Sequence, residues 1–320
     1  MEGGKELKIR EYDELDAQEI LELNKGSLGW SLTPEKAEKI RKLDPHVPDY
    51  FALFSVERGT VVSQVGAATV NTETISGTER LGFVWGVCTD PKAARKGYAG
   101  SLFEELHDRL SDDDIRYVLL GTSRGFVAYN LYKKLGYMDF IGLKWAIRQC
   151  KPMEKVTRDI AFTKTRKDSI FSEIWTRYTK GLLGFSKRPR DLIKIKKAWG
   201  WPPINIAGIF QRKGKTLGYI LANKVGKTIT IEEIIAFKQK DFRDMLKVLE
   251  MKYKPRYMLY NLLEGSHGEK IYDNLGFTRT IDTWGTLMVK DIKNRKSIKD
   301  VHKMYGIGET KFFMTAMDMY

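Results

Sequence analysis

The chain has 320 residues, a net charge of +14, 42% hydrophobic and 12% aromatic residues, which is enough apolar material for one large or two medium cores and excludes a disordered chain. No segment approaches the ~18 apolar residues of a membrane helix and the first residues lack a signal-peptide run, so a soluble cytoplasmic protein without membrane contact is expected. Cys88 and Cys150 stand in apolar segments without metal-ligand spacing, so they read as buried thiols, with no disulfide framework and no metal.

Leu7 to Tyr12 reads as a short strand, followed by a helix carrying Leu15, Ile20, Leu21 and Leu23. Thr33-Pro34 opens a second helix, with Thr33 as N-cap and Pro34 in its first turn. Three strands follow, over Phe51 to Val56, Val61 to Val70 and Leu81 to Cys88, broken by the turn signals Arg58-Gly59 and Ser76-Gly77. Leu102, Phe103, Leu106 and Leu110 then form one helical apolar face. Tyr117 to Leu120 is a strand, Phe126 to Leu135 a helix stopped by Gly136, and Phe140 to Ile147 a further strand. The order β-α-α-β-β-β-α-β-α-β predicts an α/β (α+β) domain with a mixed, mostly antiparallel sheet flanked by helices.

An internal repeat follows. Arg116-Tyr117 matches Arg256-Tyr257, Gly125 matches Gly265, Tyr132 to Tyr137 matches Tyr272 to Phe277, and Ile141 matches Ile281, all at an offset of 140. Strands over Ile204 to Phe210, Leu217 to Lys224 and Thr228 to Phe237 fit a second copy. The expected layout is two tandem domains over 1–150 and 168–295, joined by a basic linker at 151–167 and followed by a tail at 296–320. Charge divides unevenly between the halves, −3 over residues 1–150 and +17 over the rest. The basic excess suits either a solvated lysine-rich exterior or a polyanion surface such as nucleic acid, and no nucleic-acid motif accompanies it.

The stretch Val87 to Ser101 carries the chemistry. A strand ends at Thr89 and a helix begins near Gly97, with free N–H groups and a positive dipole end that suit a diphosphate. Gly97, Ala99 and Gly100 admit a ligand close to the backbone, and Arg95 and Lys96 add charge beside it.

Ala94-Arg95-Lys96-Gly97-Tyr98-Ala99, followed by Tyr132-Lys133-Lys134-Leu135-Gly136-Tyr137, resembles the GNAT superfamily of acyl-CoA-dependent N-acyltransferases. Its pyrophosphate loop runs Q/R-x-x-G-x-G/A ahead of a Tyr-x-x-x-Gly-aromatic segment. The resemblance spans roughly residues 7–150 and, more faintly, the second half. Ala94 departs from the usual Gln or Arg, and Gly125 stands where an Asn commonly lies. The resemblance implies the acyl-CoA N-acyltransferase fold in two copies and acetyl-CoA as cosubstrate, with no metal. The cofactor contacts would come from Val87, Thr89, Arg95, Lys96, Gly97, Tyr98, Ala99, Gly100, Ser101 and Gly125. It also implies Tyr132 as general acid for the leaving thiolate, and a phenol suits that role because it stays protonated at neutral pH.

The base is open. Relatives use a strand glutamate where Phe83 stands here, Glu79 reads as a turn residue, and water is an alternative carrier. His107 reads as an exposed helix residue, and Trp85 as a core residue or a wall of the acceptor site. The second copy has Lys238-Gln239-Lys240-Asp241-Phe242 in place of the phosphate loop, without glycine, so it is expected to support rather than to bind cofactor, with Tyr272 as a packing residue. The acceptor is expected to be a small-molecule amine, a protein lysine or an N-terminus, a cationic acceptor suiting the slightly acidic first half. Two alternatives remain at this stage: an aminoacyl-tRNA-dependent transferase of the same fold, and an acyl-CoA sensor or RNA-binding protein using the run Lys187-Arg188-Pro189-Arg190 to Lys196-Lys197.

Overall fold

The computed structural model describes residues 8–150, 159–281, 283, 285–293, 296–309 and 311–320. The first half runs β1 (Lys8–Glu11), α1 (Ala17–Leu28), α2 (Pro34–Leu43), β2 (Ala52–Glu57), β3 (Thr60–Thr74), β4 (Gly77–Thr89), α3 (Tyr98–Asp112), β5 (Tyr117–Thr122), α4 (Val127–Lys134) and β6 (Met138–Gln149). The second runs β7 (Ile160–Lys164), α5 (Asp168–Tyr178), α6 (Leu192–Trp199), β8 (Ile206–Arg212), β9 (Lys215–Val225), β10 (Thr228–Ala236), α7 (Gln239–Tyr253), β11 (Tyr257–Leu263), α8 (Glu269–Asn274), β12 (Thr278–Arg279), β13 (Gly285–Asp291) and α9 (Ile298–Met304). Local chemistry sets the boundaries. Asp16 caps α1 by accepting from Gln18 N at 2.8 Å, Thr33 caps α2 with Pro34 in its first turn, and Gly29 closes α1 in the left-handed region.

All thirteen strands among the described residues join one sheet, in the order β1-β2-β3-β4-β5-β13-β6-β11-β10-β9-β8-β7, with β12 beside β6. Two pairs are parallel, β4 with β5 and β10 with β11, each linked by a crossover helix, α3 or α7. The centre of the sheet is an exchange. β13 of the second half pairs with β5, β6 of the first half pairs with β11, and β13 and β6 pair with each other. Arg116 grips Asp291 with two bonds of 3.1 and 2.8 Å across the β5–β13 seam.

The linker and the tail differ from the sequence expectation. Residues 151–158 lie outside the described ones, but Ile160–Lys164, assigned above to the linker, form an edge strand paired with β8. The tail folds back: Phe312, Met314 and Met319 are buried in a cluster with Phe83, Tyr117 and Phe140 of the first half. Apolar burial gives the reason, since this run of Phe and Met covers a sheet face that would otherwise meet water.

Candidate functional site

β4 and β5 pair in register only from Leu81–Tyr117 to Val84–Leu120. Beyond Val84, β4 continues along β3 while β5 stays with β13, and a gap opens between Trp85–Thr89 and Gly121–Thr122. A bulge sharpens the divergence. Cys88 lies opposite Gln64 and Trp85 opposite Gly66, so Gly86 and Val87 together face Val65 alone. Gly86 takes φ +62°, and the Gln64 Nε2 donates to its carbonyl at 2.9 Å. Gln64 is fixed in turn by Asn24, whose Nδ2 donates to Gln64 Oε1 at 2.7 Å and to Ile20 O at 2.9 Å. Asn24 and Gln64 were missed by sequence reasoning, although a glycine inside a strand pattern at position 86 is a bulge signal.

The divergence opens into a cavity of about 550 Å³, within the range of small-molecule sites. One side is the strand gap with Val87, Thr122 and Tyr132, and the other is an aromatic wall of Trp30, Trp85, Trp199, Trp201 and Tyr320. Trp85 meets Trp199 edge-on at 4.9 Å between centroids, and Trp30 lies parallel to Trp199 at 6.2 Å. Trp85 is buried, as a core residue is, and it also lines the cavity. The second half supplies Trp199 and Lys196 on α6, and Trp201 just beyond.

Tyr132 sits on α4, nearly buried, with its ring edge-on to Phe103 at 5.7 Å. Burial pushes its phenol well above the ordinary value, so it is protonated at any ordinary pH. The neighbouring Cys88 thiol is likewise raised by burial, to about 12, and is not a nucleophile at neutral pH.

Beside the gap, α3 begins at Gly97, which holds φ +89° as the N-cap. The first helical bond runs from Ser101 N to Gly97 O at 3.1 Å, leaving the amides of Tyr98, Ala99 and Gly100 without a partner in their own helix. A Cβ added at Gly97 or Gly100 would meet nothing within 4 Å, so both face open space. Arg95 is exposed at φ +64°. Lys96 is also exposed, and its ammonium contacts Glu57 at 2.8 Å. Thr89 bonds Ser63 through their hydroxyls at 2.8 Å, and Gly125 lies exposed in the loop between β5 and α4. Of the residues singled out in the sequence, Val87 and Tyr132 line the cavity at the strand divergence, while Thr89 ends β4 and the loop Arg95–Ser101 follows it in the chain without being among the lining residues.

Several sequence readings change. His107 is buried, not exposed: its Nε2 lies 2.9 Å from Tyr137 Oη and its Nδ1 3.3 Å from Lys290 Nζ, and burial pushes its pKa down to about 3. The apolar stripe explains this, since 107 follows Phe103 by one helical turn. Two residues of the basic run around 187–197 turn inward, while Lys187, Arg190, Lys194 and Lys197 stay exposed. Arg188 is buried against Glu233 at 2.5 Å and Asp318 at 3.2 Å, and Lys196 is buried with its Nζ donating to Met319 O at 2.7 Å. Glu79 lines a different cavity with Arg80, Arg116 and Met304, and Phe83 is core. At the equivalent place in the second half, Tyr178, Phe242, Tyr272 and Phe313 leave a cavity of about 40 Å³, and Tyr272 stacks on Tyr260 at 4.5 Å.

Residues 8–139 match the family model of the acetyltransferase (GNAT) domain. No curated protein matches the chain. Among solved structures, the fold is similar to a probable N-acyltransferase from Enterococcus faecalis V583, with TM-score 0.71 and 14% identity, covering 91% of this chain and 73% of that one. It is also similar to a GCN5-related N-acetyltransferase from Kribbella flavida, with TM-score 0.67 and 15% identity over 90% and 72% of the two chains. A third, from Anabaena variabilis ATCC 29413, matches at TM-score 0.68 and 11% identity over 89% and 73%. No helix among the described residues is long and apolar enough to cross a membrane.

Proposed function

Since residues 8–139 match the acetyltransferase (GNAT) domain, we propose that the chain is an acyl-CoA-dependent acetyltransferase that moves the acetyl group of acetyl-CoA to a primary amine by direct attack. The observation that carries this reading is the divergence of β4 from β5 past Val84, with Tyr132 lining the cavity it opens and α3 starting at Gly97 after β4 ends. In this reading the pantetheine arm lies in the gap along Val87 and Thr89. The diphosphate meets the free amides of Tyr98, Ala99 and Gly100 together with Lys96, Gly97 and Ser101, and Arg95 and the Gly125 loop flank the nucleotide.

The amine nitrogen forms its bond to the thioester carbonyl carbon and the carbon–sulfur bond breaks. The departing thiolate takes the Tyr132 hydroxyl proton, for which a buried, protonated phenol is suited. In this reading water carries away the proton lost by the amine, since among the described residues no Asp or Glu side chain lines the cavity and Glu79 faces another one. The second half serves as the wall of the acceptor site and binds no cofactor of its own.

The test is purified protein with acetyl-CoA and a panel of primary amines, reading free thiol and the mass of the acetylated amine. Acetyl-CoA binding with amine-dependent thiol release supports the reading. A protein that neither binds acetyl-CoA nor releases thiol overturns it.

A further inference from the structure

The charge in the cavity bears on which amine enters. Among the described residues its lining holds two ammonium groups, Lys36 and Lys196, and no Asp or Glu side chain, with Tyr320, the last residue of the sequence, beside them. Lys36 lies over the Trp30 ring at 4.9 Å, close enough to Gly200 that a Cβ there would meet its Nζ at 3.4 Å. Burial alone lowers its pKa, with no carboxylate offsetting that among the described residues. Lys196 lies 4.0 Å over the Tyr320 ring and donates to Met319 O at 2.7 Å. Burial pulls it down to about 8 despite the more distant Asp44 and Asp318. Asp44 is buried and already accepts from Trp199 Nε1 at 2.7 Å and Tyr320 Oη at 3.2 Å. In the same wall, the buried indole N–H of Trp85 finds no acceptor.

Given the acetyltransferase reading above, on which this rests, we propose that the acceptor is a primary amine carrying an anionic group on a flat apolar body. The anion pairs with Lys36, and the body lies against Trp30, Trp85 and Trp199. A cationic acceptor, favoured by the charge balance of the first half, meets the two ammonium groups of Lys36 and Lys196 at this lining. The two ammonium groups have a second effect: they disfavour a third, so the acceptor's amine is shifted toward its neutral, nucleophilic form. That lessens the need for a dedicated base.

The experiment uses the full chain with matched probes: phenylalanine and 4-(aminomethyl)benzoate, each beside its carboxamide, with spermidine as the cationic probe. Binding is followed by calorimetry in the presence of CoA, and turnover by thiol release from acetyl-CoA. The carboxylates should bind about tenfold or more tighter than their amides, as expected for a charge-assisted contact. In Lys36→Met that preference should shrink to about twofold, while acetyl-CoA affinity is unchanged. If Lys36→Met does not fold, Lys36→Gln takes its place. Equal binding of acid and amide, a preference for spermidine, no binding of either carboxylate, or an unchanged preference in the Lys36 variant each overturns the proposal. Thiol release with spermidine alone overturns it and leaves acetyl transfer standing. Carboxylate binding without any thiol release leaves the anion site standing and overturns acetyl transfer.

Discussion

The side-chain amide of Gln64 donates to the Gly86 carbonyl over 2.9 Å, pinning the extra residue that turns the end of β4 away from β5. A Cβ at Gly86 would stand 2.7 Å from Gln64 Nε2, on a backbone already at φ +62°. Gly86→Ala should therefore destabilise the protein by roughly 1–3 kcal/mol and weaken acetyl-CoA binding about tenfold. Urea unfolding alongside calorimetry measures both. A destabilised variant with the parent's acetyl-CoA affinity would separate the bulge from the cofactor site.

Gly97→Glu should abolish acetyl-CoA binding. It brings a carboxylate to the start of α3 and forces a side chain onto a φ of +89°. Unchanged affinity in a folded variant would show that the loop does not hold the diphosphate.

The second half has no counterpart of that loop, and its equivalent cavity is closed to about 40 Å³. Replacing Lys238 or Lys240 should change acetyl-CoA affinity by less than about twofold, ~0.4 kcal/mol, and the parent should bind one acetyl-CoA per chain. A stoichiometry of two would contradict this.

Tyr132→Phe should lower kcat by ~10²–10⁴ at nearly unchanged acetyl-CoA affinity. Because burial raises the phenol above its ordinary value, no alkaline loss of kcat below about pH 10 should arise from it. A kcat within about threefold of the parent, ~0.65 kcal/mol, would assign Tyr132 to packing alone.

His107 gives a pH dependence of stability with a defined sign. Its folded pKa of about 3 lies below the ordinary 6.5, so the unfolded chain binds the extra proton between these values. Stability from this group is present above about pH 6.5 and is lost as pH falls toward 3, at a slope approaching ~1.4 kcal/mol per pH unit. His107→Gln should flatten that part of a stability profile measured by urea unfolding. An identical slope in the variant would assign the acid sensitivity elsewhere.

The order of elements through residue 150 was legible because each carries a strong local signal: Thr33-Pro34 at a helix start, Gly136 at a helix end, and alternation in the strands. The loop at Gly97 and its distance to Tyr132 were legible as a motif. The lining of the cavity was not, since Trp30, Lys36, Lys196, Trp199 and Tyr320 come from distant parts of the chain with no common period. The repeat at offset 140 pointed to two copies and could not foretell the crossing of β6 and β13, because matching positions do not tell whether a strand pairs within its own copy or with the other. His107 was misread although its spacing from Phe103 placed it on the buried face.

The exchanged strands also bear on how the protein is made. The partner of β5 is β13, about 170 residues further along the chain, so a ribosome that has released the first half has not yet supplied its closing strand. During that interval β5 presents an open edge and an apolar face, the kind of surface that recruits chaperones or pairs wrongly with a neighbouring nascent chain. Translation must pass β13 before the sheet is continuous. A ribosome stalled in the second half would leave a product that has the Gly97 loop and Tyr132 and lacks a finished fold.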